Sequence, residues 1–483
     1  MKQLIIGIDG GDQDIFSQVP MPYLQRLFKD SYTLKLTEDL LSRGWAEILS
    51  GKQARDTKAF YMRPKLNGTH DFTFSFSLKD LLSNPEVVPI WEIPTRYNKK
   101  VGMMNVPTTF PAQPVEGFFV SGAGGGFNKV EGIPEDLCYP KSLAKELEKL
   151  GYVIDIRLGT AGIKDIQQLF DKVNEMQEKQ VEAFIRLCKQ KQPDFGFIAT
   201  RATTVIQYLA MSELQSYLAY RRGEITEQEA IRHSIWFKNF EKHYALLDNL
   251  LKRLIEELNP EHFILTSDHG AVPYKYQVNF NNFLQGYGYQ SKKLLIRPSL
   301  KSLINSFRSF RSLVNFIRGK KVFKPVYEKQ WGETKAFTSW YGNRIFINDS
   351  RRFCGPVKED EIDQVVAQIC DDFNQNQEAK KYQMEAKPYR KLYPDAKYND
   401  YLPDIKIHCP TTIFAIRDEA HFIRQNKNYA PLPNLNRVQG GMHSGQKGEH
   451  PLFCCDHRTA NMIQDQDAKD LTLVYKLTER IFN

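Results

Sequence analysis

Two apolar runs in the sequence stop at residue types that commonly serve as ligands of divalent metals. Residues 263–270 read Phe-Ile-Leu-Thr-Ser-Asp-His-Gly, so this run ends at Asp268 and His269. The chain opens with a second run, residues 4–8, which ends at Asp9. Carboxylate oxygens and an imidazole nitrogen are ligands of zinc, manganese or magnesium. The pattern therefore predicts a metal site, while a simple turn or helix cap is the alternative for Asp268 and His269 taken alone.

These residues meet only if the two runs are strands of one sheet. In a parallel α/β sheet the carboxyl ends of the strands share one edge, where ligands bind. Strand and helix patterns alternate, which predicts an α/β fold with a mostly parallel central sheet, helices on both faces, and a cap or insertion. We assign residues 1–284 and 335–483 to this domain and residues 285–334 to a basic helical insertion or cap.

The predicted elements follow from hydrophobic periodicity. The predicted strands are 3–8, 31–36, 195–199, 263–267, 344–348 and 403–407, and the predicted helices are 21–29, 43–51, 141–150, 165–192, 203–221 and 226–258.

Composition narrows the class of protein. The chain has 483 residues, of which 41% are hydrophobic, and it has no apolar run near the length of a membrane span, so we expect a globular protein without a transmembrane segment. Met1 and Lys2 lead straight into the first strand, and we expect no secretory signal. Seven scattered cysteines fit reduced thiols better than a disulfide framework. We therefore expect a cytoplasmic location.

The net charge of +9 is unevenly distributed. Between Asp268 and Glu328 there is no acidic residue, whereas eleven Lys and Arg residues occur there. Apolar residues recur at helical spacing from Leu300 to Ile317, which predicts an amphipathic helix with a basic outer face. This helix is either a cap with a solvated face or a surface for nucleic acid or membrane, and no nucleic-acid-binding motif favours the second interpretation.

Five segments, in this order, resemble the alkaline phosphatase superfamily in its type I phosphodiesterase and nucleotide pyrophosphatase branch. They are Gly7 to Gly10, Trp45 to Gly51, Asn105 to Pro111, Ser267 to Gly270, and His443 in a glycine-rich loop. The resemblance implies a two-metal site for phosphoryl or sulfuryl transfer. It also implies a Ser or Thr nucleophile, whose covalent intermediate is released by water or another acceptor.

The resemblance assigns roles around the first metal. Asp9, Asp268 and His269 are the implied ligands. Ser42 is our choice for the nucleophile, which also binds the metal, at the start of the helix leading to Gly51. The family more often shows Thr followed by Pro, and the spacing is one residue short, so Thr37 is the fallback. An ordinary N-cap role is the alternative for Ser42. Arg43 is predicted to hold a phosphate oxygen, and a solvated side chain is the alternative.

The second metal site departs from the family pattern. Thr204 and Tyr208 stand where the family has Asp and His. Neutral hydroxyls are poor ligands for a divalent cation, so the second metal is expected to be weak or absent. Replacement by His233 or His243 is a disfavoured alternative.

His443 matches the last ligand of this altered site, and it is also a candidate general acid or base. The alternative is a loop histidine without a role. Lys447 or His450 is expected to neutralise phosphate charge.

Substrate contacts are predicted from the loops over the strand ends. Asn105 is expected to bind a phosphate oxygen, as an Asn near the nucleophile does in the wider superfamily. The alternative for its motif is a turn before a core strand. Further candidates for the pocket wall are Tyr61, Phe110, Tyr274 and Asn282.

Three functions remain open at this point. The first is a metal-dependent phosphodiesterase or pyrophosphatase with an altered or single-metal site. The second is a transferase of a phosphoryl, phosphoalcohol or sulfuryl group, and the third is a non-catalytic binding protein. We favour the hydrolase, with zinc or manganese as cofactor and magnesium as a third candidate. The expected partner is a small phosphate or sulfate ester, without nucleic acid, and the sequence indicates no oligomeric state.

Overall fold

A central sheet of eight strands holds the two chain segments that end in the predicted ligands. The computed structural model describes residues 1–122, 132–156, 165–232, 234–295, 326–339, 343–409, 413–415, 422–426, 429 and 444–483. In spatial order, the strands of the central sheet are Tyr32–Thr33, Phe453–Cys455, His262–Thr266, Gln3–Ile8, Phe195–Thr200, Val101–Met104, Gly117–Val120 and Cys138–Tyr139.

The inner part of this sheet is parallel. Gln3–Ile8 lies between His262–Thr266 and Phe195–Thr200 and pairs in parallel with both. The sheet continues in parallel through Val101–Met104 to Gly117–Val120, while the outer strands are antiparallel. Parallel strands buried on both faces read as continuous apolar runs, which is why they could be recognised in the sequence.

Helices cover both faces of the sheet. Side chains of the first strand alternate, so that Leu4 and Ile6 belong to one core cluster and Ile5 to the other. This confirms the predicted fold class. The α-helices are Gln13–Phe16, Pro22–Asp30, Gly44–Ser50, Ala54–Thr57, Leu78–Leu82, Glu92–Thr95, Leu143–Lys149, Ile166–Lys191, Ala202–Arg221, Glu227–Arg232, Ser234–Leu258, Phe280–Gly286, Ser350–Phe353, Ile362–Gln375, Gln377–Lys381, His457–Ala460 and Thr472–Phe482.

One predicted strand is shorter in the structure. The predicted strand 31–36 is only Tyr32–Thr33, because the chain leaves the sheet edge and Thr37 N–H donates to the carbonyl of Lys469 at 2.9 Å. The predicted helix 226–258 corresponds to Glu227–Arg232 and Ser234–Leu258, and His233 between them lies outside the described residues.

A second sheet is built by the later part of the chain. Its antiparallel strands, in spatial order, are Ala336–Thr338, Arg344–Ile347, Ile405–His408 and Glu385–Pro388. It has its own hydrophobic core, to which the helices Phe280–Gly286 and Ile362–Gln375 contribute. Within the described residues, the chain returns from this second sheet to the central sheet at Phe453–Cys455. The division into residues 1–284 with 335–483 and residues 285–334 stays a prediction.

The ends of the predicted basic insertion form a short antiparallel ladder, and the predicted helix from Leu300 to Ile317 lies outside the described residues. The small sheets pair Lys292–Leu295 with Val326–Lys329, Arg63–Pro64 with Phe72–Thr73, Gly270–Pro273 with Gly445–Gly448, and Tyr276–Val278 with Ile413–Ala415 and Ile423–Gln425. Short 3₁₀ helices span Glu135–Leu137, Glu359–Glu361, Arg390–Leu392 and Asn399–Tyr401.

Two composition-based expectations can be compared with the structure. All seven cysteines are unpaired thiols. Among the described helices, none is long and apolar enough to cross a membrane.

His243 is buried between helices rather than placed at a site. Its Nδ1 lies 2.7 Å from the side-chain oxygen of Asn174, and its ring packs edge-on against Phe170. Its Nε2 is buried without a hydrogen-bond partner in the described residues. Burial lowers the pKa of His243 to about 3, so folding keeps the imidazole neutral.

We predict that this histidine contributes to acid unfolding. The pKa of His243 is lower in the folded than in the unfolded chain. Its contribution to the free energy of unfolding is therefore fully present above pH 6.5 and is lost as the pH falls towards 3. Between pH 7 and 5 the wild type should lose about 2 kcal/mol more unfolding free energy than His243→Asn, measured by urea denaturation. The exposed His408→Asn is the control, and equal losses in all three proteins would contradict the prediction.

Candidate metal centre

Asp9, Asp268 and His269 meet at the carboxyl edge of the central sheet. Asp9 follows the strand Gln3–Ile8, and the other two follow the adjacent strand His262–Thr266. One ligand atom from each of these side chains lies within 4.8 Å of the others, and all three residues are buried. We call this cluster the triad.

The donor atoms of the triad have the spacing of a metal site. His269 Nε2 is 3.7 Å from Asp9 Oδ1 and 3.5 Å from Asp268 Oδ2. Tetrahedral coordination with bonds of about 2.1 Å separates neighbouring ligand atoms by about 3.4 Å. The residues present therefore fit one divalent cation, and three protein ligands leave a fourth position for water or substrate.

The imidazole is held in the orientation and charge state that a metal ligand needs. Nδ1 of His269 donates a hydrogen bond to the carbonyl of Gly270 at 2.7 Å, which leaves the Nε2 lone pair facing the carboxylates. Burial, together with the nearby Lys447 cation, lowers the pKa of His269 to about 3. The ring is thus neutral at physiological pH.

Each carboxylate has one oxygen held by the protein and one directed at His269. Trp45 Nε1 donates to Asp9 Oδ2 at 3.1 Å. The backbone N–H of Gly10 donates to Asp268 Oδ1 at 3.4 Å. The remaining oxygens are the two that lie close to Nε2 of His269.

The two carboxylates oppose each other's ionisation. Burial and the neighbouring Asp9 raise the pKa of Asp268 to about 8. Burial would also raise the pKa of Asp9, but Arg201, His269 and Lys447 hold it below its usual value. A divalent cation between the two carboxylates would remove this conflict.

Two glycines permit the close packing around the triad. A Cβ on Gly44, the first residue of the helix Gly44–Ser50, would lie 2.3 Å from the carbonyl oxygen of Asp268. Gly10 has a φ of +70°, and a Cβ there would lie 2.3 Å from Thr204 Oγ1. Any larger residue would push apart the elements that carry the site.

The predicted nucleophile lies next to this packing but makes other contacts. Ser42 is two residues before Gly44, and its hydroxyl oxygen accepts a hydrogen bond from the N–H of Ala54 at 3.3 Å. The helix N-cap is Arg43, not Ser42. The role of Ser42 as nucleophile and metal ligand stays a prediction, as does that of Thr37, which is exposed.

The Arg43 side chain contacts Phe74 and Tyr61. Its guanidinium donates to the carbonyl of Phe74 and lies 5.5 Å from the ring centre of Tyr61. Lys447 lies 4.9 Å from the same ring centre. Tyr61, one of the predicted pocket residues, therefore contacts two cationic side chains at the mouth of the site.

The segment predicted to have lost metal ligands lies beside the triad. The Tyr208 hydroxyl is 3.3 Å from His269 Nε2, and the two rings stack with an interplanar angle of 11°. Thr204 lies against Gly10. Burial and the charge of Asp9 raise the pKa of Tyr208 well above its usual value, so its oxygen stays protonated. The two positions thus present neutral oxygens.

Sequence reasoning missed two charged residues at the site. Arg201 Nη1 lies 2.6 Å from Asp155 Oδ2, and its Nε lies 3.6 Å from Asp9 Oδ2. Arg201 directly follows the buried strand Phe195–Thr200, which is a signal that could have found it. Asp155 lies in an irregular segment, and nothing in the sequence pattern marks it.

Of the other predicted site residues, Asn105 lies at the edge of the central sheet, and two histidines lie outside the described residues. Asn105 follows the strand Val101–Met104 at the same edge of the sheet and accepts a hydrogen bond from the Tyr152 hydroxyl. Its Nδ2 is buried with no hydrogen-bond partner among the described residues. His443 lies outside the described residues, as does His233.

The neighbourhood of the glycine-rich loop is partly described. The N–H of Ser444 donates to the carbonyl of Tyr208 at 2.9 Å. His450 Nδ1 lies 3.2 Å from the carbonyl of Leu36. Of the remaining pocket candidates, Tyr274 is buried and Phe110 is exposed, while Asn282 lies in the helix Phe280–Gly286.

Comparison with known families identifies the chain. The model of the type I phosphodiesterase / nucleotide pyrophosphatase family matches residues 3–445. The chain belongs to this family. The predicted family is therefore confirmed, and with it an enzyme that acts on phosphoric esters with a divalent metal. No curated protein matches the chain.

Solved structures agree with the fold. Phosphonoacetate hydrolase from Sinorhizobium meliloti 1021, in complex with phosphonoformate, has 11% sequence identity and a TM-score of 0.55, with 100% of this chain and 96% of that chain covered. Murine ectonucleotide pyrophosphatase / phosphodiesterase 5 in complex with AMP has 13% identity and a TM-score of 0.47, with 100% and 95% covered. At these identities the first of these similarities shows the fold alone.

We predict that Asp268→Asn separates metal binding from folding. Loss of one charged ligand should weaken Zn²⁺ or Mn²⁺ binding at least about a hundredfold by isothermal titration calorimetry. Above pH 8, where Asp268 of the metal-free wild type is ionised, the metal-free variant should melt no lower than the wild type, since the repulsion between Asp9 and Asp268 is gone. The exposed Asp14→Asn is the matched control, and a metal affinity equal to that of the wild type would contradict the assignment of the triad.

Proposed function

We propose that the chain hydrolyses a phosphoric diester or pyrophosphate bond at a single divalent cation held by the triad. The observation that carries this proposal is the convergence of three donor atoms on one point, while Thr204 and Tyr208 beside them offer only neutral oxygens. The family supplies the class of reaction. The single cation is inferred from the donor chemistry of this chain.

Zinc or manganese suits the mixed oxygen and nitrogen donors of Asp9, Asp268 and His269 better than magnesium, which prefers oxygen ligands. When bound, such a cation polarises the phosphoryl oxygen and lowers the pKa of a bound hydroxyl or water. Trp45 and Gly10 fix the carboxylates, so the site would not need to reorganise around the cation.

Ser42 is the proposed nucleophile. Its hydroxyl would lose its proton to solvent and its oxygen would form a bond to phosphorus, while the bond from phosphorus to the leaving oxygen breaks and that oxygen takes up a proton. Water would then hydrolyse the phosphoseryl ester, which releases the phosphate product and returns the Ser42 hydroxyl. Its position two residues before Gly44, which packs on the Asp268 carbonyl, supports this role. The hydroxyl must first leave the N–H of Ala54, which a rotation about the Cα–Cβ bond would achieve.

The proposed activity is tested with bis(p-nitrophenyl) phosphate as substrate. After dialysis against a chelator, activity should be lost and should return with zinc or manganese. If the metal binds but neither this diester nor a nucleotide pyrophosphate is cleaved, the hydrolase proposal is wrong. That result would favour a non-catalytic binding protein. Faster p-nitrophenol release with glycerol, accompanied by a glycerol phosphoester product, would favour the transferase.

We predict that Ser42→Ala lowers kcat about a thousandfold or more, because the covalent step is lost. Metal affinity should fall less than in Asp268→Asn. Thr37→Ala is the comparison variant and should retain wild-type kcat. A loss of activity in Thr37→Ala with an active Ser42→Ala would transfer the role to Thr37.

A further inference from the structure

Arg201 is held at the site by two carboxylates. It follows the strand Phe195–Thr200 and precedes the helix Ala202–Arg221, so its backbone is fixed at the sheet edge. Its guanidinium lies 2.6 Å from Asp155 and 3.6 Å from Asp9. The side chain is nevertheless 26% exposed, whereas that of Asp155 is 7% exposed. The Arg201 side chain therefore lies beside the triad and is partly accessible to solvent.

Lys447 occupies the corresponding place at the other carboxylate. Its Nζ lies 3.8 Å from Asp268 Oδ2, and the side chain is 31% exposed. It lies on the strand Gly445–Gly448, which pairs with Gly270–Pro273 directly after the triad. Each of the two carboxylates of the triad thus has its own cationic partner, carried by a different element.

Arg201 and Lys447 determine the net charge of the site together with the nearby carboxylates. Asp9, Asp155 and Asp268, when ionised, give three negative charges against the two positive charges of Arg201 and Lys447, which leaves one net negative charge. One divalent cation changes this to one net positive charge. A site with that charge attracts a phosphate ester without a second metal.

We propose that Arg201 and Lys447 form an anion-binding pair that supplies the positive charge of an absent second metal and binds the non-bridging oxygens of the phosphoryl group. This inference rests on the proposed function of the triad. A guanidinium offers hydrogen bonds in a fixed plane to two phosphate oxygens, and an ammonium acts as a point charge. Thr204 and Tyr208 place neutral hydroxyl oxygens beside the triad but no charge.

The test measures inorganic phosphate binding to the full-length chain loaded with one equivalent of zinc, by isothermal titration calorimetry. Arg201→Met and Lys447→Met should each weaken phosphate binding about tenfold to a hundredfold. Both variants should bind zinc at least as tightly as the wild type, since a positive charge near the cation has been removed. A variant that is merely misfolded would lose both affinities.

Arg201→Lys should bind phosphate more tightly than Arg201→Met but less tightly than the wild type, because it keeps the charge and loses the fixed plane of the guanidinium. Arg222→Met, which removes an exposed arginine paired with Glu224, is the matched control and should change neither affinity. Unchanged phosphate binding in Arg201→Met and Lys447→Met would overturn this inference while leaving hydrolysis by the wild type intact. A wild type that binds phosphate but cleaves no diester would instead count against the proposed function.

Discussion

Two buried carboxylates that face one neutral imidazole impose the main constraint on this structure. Asp9 and Asp268 lie on neighbouring strands, and their negative charges cannot both be buried at low cost. A metal cation is the partner that fits their geometry, and the protein has already directed one oxygen of each towards the imidazole nitrogen. The cluster is therefore costly without the cation and favourable with it.

Several helices and strands contribute side chains that contact the triad. The helix Gly44–Ser50 brings Trp45 to one carboxylate, which is possible because its first residue has no side chain. The helix Ala202–Arg221 brings neutral oxygens to the imidazole and begins directly after Arg201. The strand Gly445–Gly448 adds Lys447. Because each contribution comes from a different part of the chain, the site depends on the packing of the whole central domain.

Local patterns in the sequence were sufficient for the three central strands Gln3–Ile8, Phe195–Thr200 and His262–Thr266 and for the meeting of the triad residues, but not for the other strands of this sheet. Continuous apolar runs indicate strands buried on both faces, and the shared carboxyl edge of a parallel sheet brings their last residues together. The second sheet was not separated from the first because Arg344–Ile347 and Ile405–His408 have the same local character as central strands. Only long-range pairing distinguishes the two sheets, and periodicity does not report it.

The charged residues around the triad could be predicted from the sequence only in part. Arg201 could have been found, since it stands where the predicted strand 195–199 ends. Asp155 could not, because its position beside Arg201 depends on an irregular segment that has no periodic pattern. Ser42 was chosen by resemblance, and its hydroxyl makes a local hydrogen bond to Ala54 that no sequence motif reveals.

The central claim is that one cation binds per chain, at the triad. Its most direct test is metal stoichiometry by inductively coupled plasma mass spectrometry, after dialysis against zinc and manganese in turn, for the wild type and Asp9→Ala. We expect one ion per chain in the wild type and none in the variant. Two ions per chain in the wild type, or one ion retained by Asp9→Ala, would contradict the account.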